Sequence, residues 1–340
     1  MEKLNDIAGY ELEKKELRKV IDVLNNREKY ASRGSYIPKG LILYGEPGNG
    51  KTLFAKVLAS EINVNFYEFD TTKMFAQSRF KKLYKKASKN GPSIIFIDEG
   101  NRFLVSKKFA QLVQGSDNYF VLATREKLPA LPYSVSEIYG FRKSGKFHDA
   151  KQKYNEIYHL YGEISEEKNI NPKLVITEDS NSGFEFFKEM SRQKGVNCFS
   201  AGGKSNIIRQ LEQRPNEEGT ILVIVDGAAF GSEMKDISEC IKTQGNIVLY
   251  APESFEWLLL STKEIPEVKV ETILQNPEEY IDSKEYVSWE RYFTDLLIES
   301  TSKNFIWAYS KKRLTKAYFA PRIVNAVKTI MKLVDWEKSF

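Results

Sequence analysis

Residues 45–52 carry the clearest chemical signal in this chain. They spell Gly-Glu-Pro-Gly-Asn-Gly-Lys-Thr and match G-x-x-x-x-G-K-[ST], a pattern in which backbone N–H groups, a lysine and a hydroxyl surround phosphate oxygens. A nucleoside triphosphate, ATP with Mg²⁺, is the expected ligand. Lys51 is predicted to contact the β and γ phosphates during catalysis, and Thr52 is predicted to give a hydroxyl to the metal. The predicted cofactor-binding residues of this loop are Gly45, Glu46, Pro47, Gly48, Asn49, Gly50, Lys51 and Thr52.

An acidic pair provides a second signal. The apolar run at residues 93–97 predicts a buried strand, and Asp98 and Glu99 follow it directly. We expect Asp98 to hold Mg²⁺ through a water and Glu99 to act as the general base on the attacking water. Arg125 ends another apolar run and is predicted to sense the γ-phosphate, with a plain surface arginine as the alternative.

The elements that must position these groups can also be predicted. The short apolar run at residues 41–44 predicts a strand before the loop, and residues 53–59 have a helical pattern after it. A strand, a glycine-rich loop and a helix in this order place the positive end of the helix at the phosphates.

Residues 1–99 resemble the start of an AAA ATPase of the AAA-protease type. The resemblance rests on Asp6-Ile7-Ala8-Gly9, a predicted helix at 11–24, the lead-in Pro38-Lys39-Gly40 and the run at 93–99. It implies that Ile7, Ala8 and Gly9 lie against the adenine, whereas the alternative makes Asp6 an ordinary helix cap. The aromatic-Val-Gly pore loop of that family has no counterpart between residues 70 and 80, and no helical lid is expected after residue 125. A peptide-threading hexamer is therefore not the leading hypothesis.

A second alternation of strands and helices begins near residue 173 and predicts a parallel sheet. Its order resembles a Toprim domain, in which carboxylates at strand ends hold Mg²⁺. Glu178 and Asp226 match two of those positions, but Ala228 replaces the second Asp of the usual Asp-x-Asp pair. We expect Glu178 and Asp226 to lie together as metal ligands, with at most one ion held and weak or absent nuclease activity. The alternative is that such acids cap helices. Further oxygen candidates are Asp179, Glu233, Glu253 and Glu256.

Residues after 99 also resemble a group of uncharacterised bacterial P-loop proteins, through the stretches at 116–120, 226–234 and 253–257. Near the carboxyl terminus, a stretch with several aromatic residues is followed by a basic segment that includes Lys311 and Arg322. Aromatic and basic residues together can bind nucleic acid, but aromatic residues more often anchor a core. The sequence does not choose between these two roles.

The fold class expected is α/β: a P-loop NTPase domain at 1–165, a Toprim-like domain at 166–265 and a helical, basic segment at 266–340. No apolar run approaches the roughly 20 residues that span a bilayer, so no membrane partner is expected. Cys198 and Cys240 form no disulfide or metal pattern, which favours a reducing cytoplasm.

Three functions remain open at this point. In the leading hypothesis, the chain binds and hydrolyses ATP, and its nucleotide state controls the Toprim-like domain, which acts on nucleic acid. The alternatives are a non-catalytic ATP-dependent switch and an AAA-type remodelling ATPase. A homo-oligomer is compatible with each of them.

Overall fold

The structure is a computed structural model of the whole chain. The residues it describes are 3–4, 40–45, 51–70, 76–91, 93–98, 103–116, 119–124, 127–143, 155–165, 170–214, 218–266, 270–275, 285–286, 288–332 and 334–335, with isolated positions at 268 and between 14 and 29.

The chain divides into two compact units. Unit 1 comprises Met1–Leu131, Glu137–Leu160 and Pro277–Glu285, and unit 2 comprises Pro132–Ser136, Tyr161–Asn276 and Tyr286–Phe340. This division differs from the expected boundary at residue 265, because most of the carboxyl-terminal segment packs into unit 2 and forms no domain of its own.

Unit 1 contains a six-stranded sheet. Its strands are β1 Gly40–Gly45, β2 Asn65–Asp70, β3 Ser93–Asp98, β4 Tyr119–Ala123, β5 Ile138–Lys143 and β6 Asn155–His159. The order across the sheet is β2-β3-β4-β1-β5-β6, and every neighbouring pair is parallel except the antiparallel β5 and β6. The strands predicted before the loop and before Asp98 are therefore confirmed as β1 and β3.

Three helices of unit 1 have described bounds, and the first of them confirms the helix predicted at residues 53–59. They are α1 Lys51–Glu61, α2 Ala76–Lys89 and α3 Lys107–Gln114. Ile94 to Ile97 of β3 have no exposed surface, as expected for a parallel strand covered on both faces. On α2, Phe80 and Ala87 are buried while Lys81, Lys82, Lys85 and Lys86 are exposed, so this basic cluster is the solvated face of an amphipathic helix.

The region between residues 127 and 160 contains two strands that the sequence analysis does not predict. It contains β5, which pairs with β1, and β6, which forms the antiparallel edge of the sheet. An edge strand has one open side, so it can carry polar residues that hide its pattern in the sequence.

Unit 2 contains a four-stranded parallel sheet, as predicted. Its strands are β7 Pro172–Thr177, β8 Asn197–Ser200, β9 Thr220–Ile224 and β10 Ile247–Tyr250, in the order β10-β9-β7-β8. The remaining helices, in chain order, are α4 Leu160–Ile164, α5 Ser182–Arg192, α6 Ile207–Glu212, α7 Met234–Gln244, α8 Phe255–Ser261, α9 Glu271–Gln275, α10 Trp289–Thr301 and α11 Pro321–Ile330.

The carboxyl-terminal helices complete the core of unit 2. Both α10 and α11 contact α8, and Phe293, Leu297 and Ile323 are fully buried. Tyr309 and Tyr318 are buried and meet edge to face, with ring centroids 5.8 Å apart. Most aromatic residues of this segment are therefore core anchors. No helix among the described residues is both long and apolar enough to cross a membrane.

Candidate functional site

The first candidate site lies where β1 meets α1. Strand β1 ends at Gly45, and α1 begins at Lys51, with Thr52 as its second residue. The first N–H groups of a helix have no partner within the helix, so this end favours phosphate. The structure therefore confirms the predicted strand before the loop and the predicted helix after it, and the roles of Gly45, Lys51 and Thr52 stay predictions.

Strand order brings Asp98 to the same edge of the sheet. Leu43 of β1 lies opposite Ala123 of β4, and Ala123 lies opposite Asp98 of β3. Neighbouring strands are about 4.8 Å apart, so Asp98 ends about 10 Å from β1. A hydroxyl and a carboxylate suit a hard cation, and Thr52 and Asp98 would hold Mg²⁺ here if it binds with ATP.

Several predicted residues of this site lie outside the described residues. They are Ile7, Ala8, Gly9, Glu46, Pro47, Gly48, Asn49, Gly50, Glu99 and Arg125.

Thr124 was not singled out in the sequence. It follows β4 directly and is buried, and β4 lies between β1 and β3. Thr124 thus follows the strand that lies between β1, which ends at Gly45, and β3, which ends at Asp98. A hydroxyl residue after an apolar run is a common pattern, so sequence alone would not have selected it.

Comparison with known proteins is informative at this edge. Residues 41–122 match the family model described as ATPase family associated with various cellular activities (AAA). The amino-terminal region carries an AAA ATPase domain. The match begins in β1 and ends in β4, so it contains the loop, α1 and Asp98 of the candidate site.

Curated relatives of the AAA domain are ATP-dependent zinc metalloproteases FtsH. The protein from Leptotrichia buccalis is 46% identical over 103 residues, which are 28% of this chain and 13% of that protein. The protein from Helicobacter pylori strain 26695 is 41% identical over 121 residues, 34% of this chain and 19% of that protein. The match thus spans less than a fifth of the length of either relative.

A solved structure is also similar to part of the chain. It is the crystal structure of the FIGL-1 AAA domain in complex with ADP, with 26% identity and a TM-score of 0.32. The match covers 36% of this chain and 49% of that chain.

The second candidate site is a group of carboxylates in unit 2. Strands β7 and β9 are parallel neighbours in which Thr177 lies opposite Ile224, so Glu178 and Asp226 emerge at the same edge. The Asp226 backbone N–H donates to Oε2 of Glu178 at 3.1 Å. The structure therefore brings Glu178 and Asp226 together.

Residues from α8 approach the same edge. Oδ1 of Asp226 accepts a hydrogen bond from the Phe255 N–H at 3.0 Å, in the first turn of α8. The next residue, Glu256, is 1% exposed, and its charge acts on Asp226. Asp226 thus contacts the start of a helix that does not follow its own strand.

Asp179 has the capping role that the sequence left open. Its two carboxylate oxygens accept hydrogen bonds from the N–H groups of Asn181 and Phe184, at 3.3 and 3.1 Å, at the start of α5. Its charge also acts on Glu178 and Asp226, so it belongs electrostatically to the group.

The carboxyl-terminal segment contributes residues that the sequence did not indicate. Lys311 forms an ion pair with Glu290 of α10, and both charges act on Glu256. The Tyr309 hydroxyl donates to Oε1 of Glu256 at 2.6 Å and lies 2.8 Å from the Ser182 hydroxyl. We define the carboxylate cluster as Glu178, Asp179, Asp226, Glu256 and Glu290, with Lys311 as its neighbouring cation.

Burial changes how the carboxylate cluster holds protons. The pKa of Glu178 is raised to about 7, because burial and the charge of Glu290 outweigh the lowering effect of the hydrogen bond from the Asp226 N–H. Burial and the charges of Glu290 and Glu178 raise the pKa of Asp226 well above its usual range. Burial lowers the pKa of Lys311, but the carboxylates of Glu290 and Glu256 outweigh it and raise that pKa.

Space for a ligand beside the carboxylate cluster is small. A cavity of about 20 Å³ is lined by Glu178, Asp179, Asp226 and Phe255, which is enough for one water molecule or ion. Carboxylate oxygens suit Mg²⁺, but among the described residues no three His, Cys, Asp or Glu side chains converge as a metal site. The roles of Glu178 and Asp226 as metal ligands therefore stay a prediction.

Two glycines after Asp226, Gly227 and Gly231, lie in close contact with other parts of the chain. A Cβ at Gly227 would lie 2.7 Å from the Ala251 carbonyl oxygen, and one at Gly231 would lie 2.3 Å from the Tyr133 ring. The partner of both glycines is the chain itself, so these positions are structural.

Proposed function

We propose that this chain binds ATP with Mg²⁺ and hydrolyses it, and that the nucleotide state controls unit 2, which acts on nucleic acid. The match of residues 41–122 to the AAA family carries the first part. Helix α1 beginning at Lys51 beside a central strand supports the same role.

Each predicted residue has a role in this proposal. Lys51 neutralises the β and γ phosphates, and Thr52 and Asp98 hold Mg²⁺. Glu99 polarises the attacking water, and Arg125 senses the γ-phosphate. Ile7, Ala8 and Gly9 bind the adenine, and the loop residues 45–50 surround the phosphates.

A short segment supports communication with unit 2. Pro132–Ser136 belongs to unit 2, where the Val135 N–H donates to the Gly227 carbonyl at 2.9 Å and the Gly231 N–H donates to the Tyr133 carbonyl at 3.0 Å. Strand β5 begins at Ile138 and pairs with β1. The chain thus runs from a segment that is hydrogen-bonded to the loop after Asp226 directly into β5, the strand that pairs with β1.

Unit 2 supports a Toprim-like role in part. Two adjacent parallel strands present Glu178 and Asp226 at one edge, which is where ligand sites of α/β sheets gather. Ala228 removes the usual second Asp, so tight binding of two metal ions and efficient cleavage of nucleic acid are not expected. Control of nucleic-acid binding fits this site better than cleavage.

The remodelling alternative is less favoured. Among the described residues from 127 to 165, strands β5 and β6 follow the AAA match, and the only α-helix is the five-residue α4. A helical lid would have to lie elsewhere. The expected pore-loop region falls partly on residues 71–75, outside the described residues.

The proposal can be tested with the full chain. ATP turnover should be measurable with Mg²⁺, and a single-stranded oligonucleotide should change its rate or bind with an affinity that differs between ATP and ADP. Turnover that nucleic acid does not affect, together with equal oligonucleotide affinity in both nucleotides, would leave an ATPase without the proposed control. Sedimentation velocity with ATP would test the expected homo-oligomer.

A further inference from the structure

The turn at residues 302–306 presents two apolar side chains to solvent. Phe305 is 98% exposed and Ile306 is 67% exposed, whereas the neighbouring Trp307 and Tyr309 are buried. Burying such a side chain stabilises a fold by about 1.5–3 kcal/mol, so Phe305 contributes almost none of that to folding. Its position therefore suggests a role outside the core.

The turn is held firmly by its neighbours. Oδ1 of Asn304 accepts hydrogen bonds from the backbone N–H groups of Ile306 and Trp307, at 3.1 and 3.3 Å. The Thr315 hydroxyl donates a hydrogen bond to the Ile306 carbonyl at 2.6 Å. Trp307 packs edge-on against Tyr318, with ring centroids 5.5 Å apart. A rigid turn loses little conformational entropy on binding a partner.

Several basic residues lie near this turn. Residues 302–332 contain eight Lys and Arg and no Asp or Glu. Lys303 is exposed two positions before Phe305, and exposed Lys316 follows Thr315, which contacts Ile306. The exposed Arg322 guanidinium lies 5.1 Å from the centroid of the Trp307 ring. We define the basic tip as Lys303, Phe305, Ile306, Lys316 and Arg322.

We infer that the basic tip binds single-stranded nucleic acid, with Phe305 stacking on an unpaired base. The flanking cations neutralise backbone phosphates, and an aromatic ring open on both faces accepts any base. This inference rests on the proposed action on nucleic acid and names its surface.

Nucleic acid fits the basic tip better than a lipid surface. Two apolar side chains bury little area in a membrane, whereas one aromatic ring is enough to stack a base. The same segment continues to Tyr309 and Lys311 beside the carboxylate cluster, where the Lys311 carbonyl accepts the Ser182 N–H at 3.0 Å. A strand bound at the tip would thus be held by the segment that also lines the candidate site of unit 2.

Fluorescence anisotropy of a fluorescein-labelled oligothymidine with the full chain tests this surface. Phe305→Ala should weaken binding by about five-fold to a hundred-fold, because stacking is lost. It should leave the dependence on salt unchanged. The logarithm of the binding constant falls linearly with the logarithm of the salt concentration. Lys303→Gln and Lys316→Gln should each make this negative slope shallower by about 0.7.

Matched controls come from elsewhere in unit 2. Phe199 is 45% exposed with the Arg214 guanidinium 5.4 Å from its ring centroid, and Lys242 is an exposed residue of α7. Phe199→Ala and Lys242→Gln should bind the oligonucleotide as the parent does. Circular dichroism of each variant confirms that it is folded.

Three results would overturn the inference in distinct ways. If the parent binds the oligonucleotide and the tip variants bind equally well, the tip is wrong but the action on nucleic acid stands. If the parent binds no oligonucleotide at low salt, both fail. Binding to phosphatidylserine vesicles that depends on Phe305, without oligonucleotide binding, would assign the tip to lipid.

Discussion

The backbone N–H of Asp226 donates to the side chain of Glu178 at 3.1 Å, which joins two residues 48 positions apart at one edge of the unit 2 sheet. The bond satisfies one carboxylate oxygen of Glu178 and places Asp226 beside it. Because like charges are crowded and buried here, protons or a cation must compensate them.

Magnesium titration tests this pair. We expect at most one Mg²⁺ to bind unit 2 of the nucleotide-free chain, and DNA or RNA cleavage to be weak or absent, because Ala228 removes a ligand. Asp226→Asn should weaken that binding in calorimetry. Glu239→Gln, an exposed acid on α7, is the control and should not change it. Robust cleavage that Asp226→Asn abolishes would contradict our doubt about catalysis.

Lys311→Met should destabilise unit 2, because Glu290 and Glu256 lose their neighbouring cation. The side chains of Lys311 and Glu290 are 37% and 22% exposed. We therefore expect the free energy of unfolding to fall by about 1–3 kcal/mol, which lies between the values for exposed and for buried ion pairs. Urea unfolding measures this loss. Lys312→Met changes the exposed neighbouring lysine and should cost under about 0.5 kcal/mol.

A double-mutant cycle separates this ion pair from other effects. Glu290→Gln in the Lys311→Met chain should restore part of the lost stability, since it removes one uncompensated carboxylate. Additive losses in the two variants would show that the pair contributes nothing.

Lys51→Ala should weaken ATP binding by about ten-fold to a hundred-fold or more, because hydrogen bonds from a charged group to phosphates are lost. Nucleotide titration with a fluorescent ATP analogue measures this. Lys56→Ala is the matched control on α1, since Lys56 faces Glu68 at 3.7 Å, and it should bind normally. Equal affinity in the Lys51 variant and the parent would end the assignment of the loop.

Glu99→Gln should preserve ATP binding while slowing turnover by about a hundred-fold or more, since an amide cannot polarise water as a carboxylate does. Single-turnover hydrolysis and nucleotide titration of the same preparation separate the two steps. Turnover at the parent rate would mean that another residue is the base.

The thiol of Cys198 should resist alkylation. Burial raises its pKa from 9.0 to about 12, so its thiolate fraction at pH 8 is about a thousand-fold smaller than that of an ordinary cysteine. Iodoacetamide labelling should be correspondingly slow in Cys240→Ser. Cys240, labelled in Cys198→Ser, should react faster. Cys240 is less desolvated than Cys198, so burial raises the pKa of its thiol less. Rapid labelling of native Cys198 would contradict this environment.

The same shift fixes the sign of a pH effect on stability. A raised pKa in the folded state contributes stability that is present below pH 9 and lost as the pH rises through about 12. Cys198→Ser should therefore flatten the alkaline loss of stability in urea unfolding between these values. An unchanged alkaline slope would indicate that other groups dominate it.

The sequence alone determined several of the local elements of both units. The run before Gly45, the run before Asp98 and the strand-helix alternation after residue 173 all appear at the predicted positions, because periodicity and turn residues act over short stretches of chain. The match to the AAA family also follows from contiguous residues.

Only the tertiary structure decided which residues lie together in the carboxylate cluster. Glu290 and Lys311 lie more than 60 residues beyond Asp226 and reach it because α10 packs on α8. Phe305 is exposed and Trp307 is buried, although both are large aromatic residues and lie only two positions apart. No local pattern distinguishes such residues, since burial and charge pairing depend on which distant segments pack together.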